Sequence, residues 1–110
     1  MNKNLDELFK EHQEFAKTQF PESTWESSLR GLEREIKEVE LAKSDYYVID
    51  CHENREKLGI EYADCFAYLI DSISRAGFTI EELNMFFKRK LEINKNRDWA
   101  KNKDNTYSHK

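Results

Sequence analysis

Turn-forming residues are scarce in this chain, with three Gly and one Pro among 110 residues. A fold of many short strands needs far more of them, so a handful of helices is favoured. Cysteine is scarce too. Cys51 and Cys65 form neither a CxxC pair nor a disulfide framework, and read as ordinary thiols of a reducing cytoplasm. No apolar run approaches the roughly 20 residues that span a bilayer, and Met1 to Glu7 lacks the apolar core of a signal peptide. The expectation is a cytoplasmic protein with no membrane partner. Positive charge is also not in excess: the formal net charge is −4. Nothing here neutralises a long run of phosphates, which argues against a polynucleotide partner. A small anionic substrate fits only where a cation bridges it to acidic groups.

What the chain does have is large apolar side chains. Seven Phe, five Tyr and two Trp argue against disorder. Apolar residues make up 38% and charged residues 36%, so the apolar ones must be gathered on particular faces. The length suits one domain.

The apolar spacing predicts four helices. Leu5, Leu8, Phe9, His12, Phe15 and Ala16 mark one face of the first, which ends near Phe20-Pro21 because a residue preceding proline avoids helical geometry. Ser23-Thr24-Trp25-Glu26 reads as a capping box opening a second helix from Trp25 to about Ala42. Its expected core stripe is Trp25, Leu29, Leu32, Ile36 and Val39. Lys43 to Glu53 loses the periodicity and reads as a connection. A third helix is predicted from about Arg55 to Ala76, stopped by Gly77, with an apolar side of Leu58, Tyr62, Cys65, Phe66, Leu69, Ile70 and Ile73. Thr79 and Glu82 form another capping box ahead of a fourth helix running from Ile80 to about Arg97. Beyond Trp99 the chain is rich in Lys and Asn and is expected to be flexible unless it folds over a ligand. The organisation read from this pattern is a helical domain over residues 1–99 with a charged tail over 100–110. The fold class is all-α, a compact antiparallel bundle of about four helices.

Function is sought where polar groups occupy positions that packing alone would make apolar. On the second helix Glu35 and Glu38 share a face beside the core stripe, together with the small residues Ser28, Gly31 and Ala42. Small side chains allow another helix or a ligand to approach the carboxylates. Acidic pairs at this spacing are also common on solvated faces. On the third helix Glu61, Asp64, Tyr68, Asp71 and Arg75 form a narrow polar stripe. An Asp71–Arg75 salt bridge accounts for its second half, but not for Glu61 and Asp64 if they face Glu35 and Glu38. Four carboxylates gathered together repel, each pair about 4 Å apart costing roughly 4 kcal/mol at an effective dielectric near 20. A divalent cation relieves that repulsion. Oxygen-only ligands favour Mg²⁺ or Mn²⁺ over zinc, and the lack of any Glu-x-x-His pair argues against a ferritin-like di-iron site. On the fourth helix the face begun by Ile80, Leu83 and Phe87 continues as Lys90, Asn94 and Arg97. That is either a solvated end favourable to the helix dipole or a phosphate-binding patch.

In this order and spacing the residues resemble the MazG-like all-α nucleoside triphosphate pyrophosphohydrolases. Leu32-Glu33-Arg34-Glu35-Ile36-Lys37-Glu38-Val39 is similar to the ExxE helix of that superfamily and Glu61-Tyr62-Ala63-Asp64 to its ExxD helix. Trp25, the stretch Asp71 to Gly77 and Lys90-Leu91…Asn94…Arg97…Trp99 look most like the dATP/dGTP diphosphohydrolase branch found in phages and bacteria. The likeness covers about Phe15 to Trp99. Many members carry EExxE, whereas Arg34 stands at the first acidic position here, and Glu33 offers a second register.

The resemblance implies Mg²⁺-dependent hydrolysis, with Mn²⁺ as substitute, of nucleoside triphosphates, dATP or dGTP above all, to the monophosphate and pyrophosphate. Glu35, Glu38, Glu61 and Asp64 would be the metal ligands, Glu38 the group that orients or deprotonates the attacking water, and Lys90, Asn94 and Arg97 the phosphate contacts. Phe15, Phe20 and Trp25 are candidates for base contact, and Tyr107 and His109 for a closing tail. A homodimer or homotetramer is implied, with the bundle completed between chains. Two other readings compete: a dUTP- or dCTP-specific member of the same superfamily, and a non-enzymatic helical module whose acidic stripes are merely solvated.

Overall fold

A computed structural model describes residues 2–110. The elements are α1 (Leu5–Gln19), α2 (Trp25–Val48), α3 (His52–Arg75) and α4 (Ile80–Lys95), followed by the short strands β1 (Trp99–Lys101) and β2 (Tyr107–His109). Two units divide the chain, Met1–Phe78 and Thr79–Lys110. Among the described residues no helix is long and apolar enough to cross a membrane.

In the first unit, α1 opens on a reciprocal capping box. Asn4 accepts the Glu7 N–H at 2.9 Å, and the Glu7 carboxylate faces the Asn4 N–H. Phe9 and Ala16 are its buried positions. Pro21 ends it, and the Phe20 N–H closes the last turn on Ala16 O at 2.8 Å.

The cap of α2 differs from the sequence expectation. Thr24, not Ser23, is the N-cap, and Ser27, not Glu26, is its reciprocal partner: Thr24 Oγ1 accepts the Ser27 N–H at 3.1 Å, and Ser27 Oγ accepts the Thr24 N–H at 2.8 Å. A serine at the third helical position reaches back as a glutamate would. The supposed connection over 43–53 is mostly helix as well. Lys43 to Val48 continues α2, and only residues 49–51 separate it from α3. Nothing in that stretch breaks a helix. The apolar periodicity fades there because this stretch is not drawn into the core: Tyr47 and Val48 are 77% and 81% exposed. Asn54 Nδ2 ties the turn by donating to Ile49 O at 2.9 Å.

α2 and α3 run antiparallel. Ser28 faces Asp71, Gly31 faces Tyr68, and Glu35 faces Glu61 and Asp64. The face of α2 buried in the chain is therefore the small-residue strip of Ser28, Gly31 and Ala42. The expected stripe is only partly covered: Leu32 and Val39 are half-buried, while Trp25, Leu29 and Ile36 are exposed. On α3, Ile70 is buried, whereas Tyr62, Phe66 and Leu69 are exposed. Close helix approach needs small residues on one partner, so the small face of α2 is the one that meets the aromatic and polar stripe of α3. α3 ends where Gly77 takes a left-handed φ of 96°, which only glycine adopts without strain.

In the second unit, Thr79 and Glu82 form the predicted capping box of α4. Ile80 is buried, Leu83 half-buried and Phe87 exposed. The tail is ordered: β1 and β2 pair antiparallel with Trp99 opposite His109. The turn is built by Asp104, which accepts from Thr106 N at 3.1 Å, and by Asn105 at a φ of 69°, a conformation asparagine tolerates. Trp99 Nε1 donates to Asn94 O at 2.9 Å, fastening the hairpin to the end of α4.

Candidate active site

Antiparallel packing of α2 on α3 brings Glu35, Glu61 and Asp64 together: each offers a carboxylate oxygen, and these lie within 4.8 Å of one another. Glu35 and Glu61 are half-buried and Asp64 is exposed. Among the described residues no cation pairs with any of the three. Partial burial raises the Glu61 carboxyl above its ordinary value, and the charges of Asp64, Glu38 and Glu35 push it the same way. Glu38 is exposed and stands outside the group of three, although its charge is felt by Glu61. The half-buried thiol of Cys65 is also raised, by burial first and then by Glu35, Asp64 and Glu61, which keeps it protonated. The donors are thus carboxylate oxygens in mutual repulsion, a set that suits a hard divalent cation and lacks the thiolate or imidazole that zinc prefers.

Next to this cluster lies a cavity of about 360 Å³ with Asp64 on its wall. Phe15 and Phe20 line it, their rings edge to face with centroids 5.8 Å apart. Tyr68 stands over Gly31 at its side, and Arg34 lies against Tyr68, donating to the hydroxyl at 3.2 Å with its guanidinium 5.9 Å from the ring centre. Arg34 thus places a cation at the cavity's edge. Trp25 lines a different, more open depression with Lys17, Glu26 and Arg75.

Sequence reasoning passed over Ser28, Arg34 and Asp71 as site residues. Ser28 Oγ donates to Asp71 Oδ2 at 2.6 Å, and Arg75 Nε donates to the same oxygen at 2.8 Å. The Asp71–Arg75 salt bridge expected from the spacing is present, with both side chains nearly buried. Arg75 also donates to Ser23 O, Ala16 O and Phe20 O, so one guanidinium joins α3 to the end of α1 and to the loop before α2. Polar residues in a nearly buried stripe were the available signal.

The remaining candidates belong to the second unit. Lys90 is exposed, Asn94 and Arg97 are half-buried, and Asn94 Oδ1 is buried without a hydrogen-bond partner. Tyr107 and His109 sit on β2, with His109 edge-on to Trp99.

The fold is that of the MazG-like pyrophosphohydrolases. The chain is similar to a MazG-like pyrophosphohydrolase of cyanophage S-2L, solved bound to dGDP and three catalytic Mn²⁺ ions per active site, with a TM-score of 0.72, 19% identity and 99% of each chain covered. The particular family follows from the sequence: the dATP/dGTP pyrophosphohydrolase model matches residues 8–110, and the chain belongs to that family. None of the curated proteins matches it. The chain is therefore a nucleoside triphosphate pyrophosphohydrolase, and the reading of a non-enzymatic helical module is set aside.

Proposed function

We propose that the chain hydrolyses dATP or dGTP between the α- and β-phosphates, releasing the monophosphate and pyrophosphate, with Mg²⁺ as the resident ion and Mn²⁺ as a substitute. The observation that carries this is the trio Glu35, Glu61 and Asp64 within 4.8 Å, with a raised Glu61 and no protein cation among them. Such a trio is unfavourable alone and favourable around a divalent ion. The bound ion would polarise the α-phosphoryl oxygen and lower the pKa of the attacking water.

The chain's own side chains do the rest. Glu35, Glu61 and Asp64 hold the ion. Glu38, outside the trio but close to Glu61, orients the water and takes its proton. Phe15 and Phe20 offer a stacking wall for the base, and Arg34 adds positive charge at the edge of the same cavity. Trp25 is the weaker base candidate, because it lines the other depression. For Lys90, Asn94 and Arg97 as phosphate contacts, and for Tyr107 and His109 as a closing segment, the support is the family resemblance and the chemistry of the side chains. Phosphoryl transfer of this kind relies on positioning and charge neutralisation.

A homodimer or homotetramer is also proposed. Leu29, Ile36, Phe66 and Leu69 are 37–45% exposed on two adjoining helices, more apolar surface than an isolated small domain usually leaves in water. A second copy would cover it.

The test is a panel of canonical (d)NTPs incubated with Mg²⁺ or Mn²⁺, with products separated by chromatography. Monophosphate and pyrophosphate from purine substrates are expected. Glu35→Gln should lose both turnover and metal-induced thermal stabilisation, whereas Glu38→Gln should lose turnover and keep most of the stabilisation. Full turnover in Glu35→Gln would show that the metal site is misassigned.

A further inference from the structure

Asp71 is 8% exposed, yet it borders both the cavity that Phe15 and Phe20 line and the more open depression beside Trp25. The aromatic cavity is the one shaped for a flat ring. Its two carboxylate oxygens are treated very differently. Oδ2 accepts from Ser28 Oγ at 2.6 Å and from Arg75 Nε at 2.8 Å. Arg75 is itself fixed by three backbone carbonyls, so the carboxylate plane is held by a rigid partner. Oδ1 has no hydrogen-bond partner among the described residues. The Asp71 side chain keeps 11% exposure and Oδ1 is open to solvent, so it stands as an acceptor that a ligand's donor can reach.

The walls indicate which donor. Two aromatic rings suit a flat heterocycle, and an acceptor at the border of that space reads the heterocycle's edge. Guanine presents two adjacent donors on one edge, the ring N1–H and the exocyclic 2-amine. Adenine presents one amine beside a ring nitrogen that is itself an acceptor. Uracil and thymine present a single N–H flanked by two carbonyl oxygens, which a carboxylate repels. We propose that Asp71 determines base specificity, its Oδ1 accepting from N1–H and the 2-amine of guanine, so that guanine nucleotides are taken ahead of adenine ones and uracil nucleotides are rejected. The proposal rests on the nucleotide reading above and sharpens it to one base and one atom. Ser28 and Arg75 act as positioning residues: they occupy Oδ2 and leave Oδ1 for the ligand.

The arrangement also fixes what Asp71→Asn must do. Ser28 and Arg75 both donate to the Oδ2 position, so the amide oxygen has to lie there. The amide NH₂ then takes the place of Oδ1, and an acceptor becomes a donor. Xanthine, which carries a carbonyl where guanine carries the 2-amine, is the base that this variant should prefer.

The experiment measures binding of dGMP, dIMP, dXMP, dAMP and dUMP by calorimetry, and turnover of the matching triphosphates with Mn²⁺, for the wild type and Asp71→Asn. In the wild type, loss of the 2-amine in dIMP should weaken binding about tenfold and its replacement by a carbonyl in dXMP about a hundredfold, as expected for hydrogen bonds to a charged acceptor. Asp71→Asn should reverse the order of dGMP and dXMP. Equal wild-type affinity for dGMP, dIMP and dXMP would overturn the proposal, as would a variant that still prefers dGMP, or an absence of monophosphate binding. If circular dichroism shows that Asp71→Asn does not fold, the wild-type series decides alone. Base-ordered binding without turnover of any triphosphate would refute the hydrolysis reading and leave the role of Asp71 standing. Turnover blind to the base would do the reverse.

Discussion

Gly31 of α2 lies against the ring of Tyr68 of α3 so closely that a methyl group at Gly31 would overlap the ring. The contact sits midway between the Ser28–Asp71 hydrogen bond and the acidic trio, and it sets how near the two helices come. Gly31→Ala should therefore destabilise the chain by about 1–3 kcal/mol in urea denaturation, the usual cost of overpacking. In a Tyr68→Ala background the same substitution should cost little or nothing, since the obstructing ring is gone. Equal costs in both backgrounds would rule out the ring contact as the reason for glycine at this position.

The raised Glu61 carboxyl makes a prediction with a definite sign. Between its ordinary value of 4.5 and its higher folded value, the native chain holds more protons than the unfolded one. Stability therefore falls as pH rises through that window and stays lower above it. Without divalent ions, Glu61→Gln should melt above the wild type at neutral pH, with the gap closing as the pH drops below 4.5. Saturating Mn²⁺ should invert the order, because the wild type gains binding free energy that the variant has lost, on the order of 2.7 kcal/mol at a hundred times Kd. A gap independent of pH would show that the carboxylate carries no penalty in the fold.

Arg75 donates to Asp71 and to three main-chain carbonyls, with its side chain only 13% exposed. A lysine keeps the charge but not the planar fork that reaches all four acceptors. Arg75→Lys is expected to cost roughly 3 kcal/mol, in the range for breaking a buried ion pair, and to loosen the end of α1. Hydrogen exchange should then speed up at the Phe20 amide, which bonds Ala16 O in the last turn. A loss below 1 kcal/mol, set against that ~3 kcal/mol expectation, would mean that the clamp is not structural.

Much of the acidic cluster was legible in the sequence because helical spacing fixes which residues share a face. Glu61 and Asp64 had to project together, and Glu35 with Glu38. That Glu35 joins Glu61 and Asp64 while Glu38 stands outside depends on the rotation of α2 about its axis, which no spacing reports. The Asp71–Arg75 pair was local and foreseeable. Ser28, 43 residues distant from Asp71 along the chain, was not. The hairpin over Trp99 to His109 was missed because its strands are three residues long, too short for a periodic signal, and only the Asp104-Asn105 turn hinted at it.

The sequence by itself determined four helices, the capping boxes of α2 and α4 to within a residue, and two acidic faces, since each is a matter of neighbours within a turn or two of the same chain. Only the tertiary structure decided that the small-residue face of α2, and not its Leu29–Ile36 side, meets α3. Periodicity reports which side of a helix is apolar, but how closely two helices approach depends on the bulk at their contact. Here Gly31 and Ser28 permit the approach that assembles both the carboxylate trio and the Asp71 acceptor.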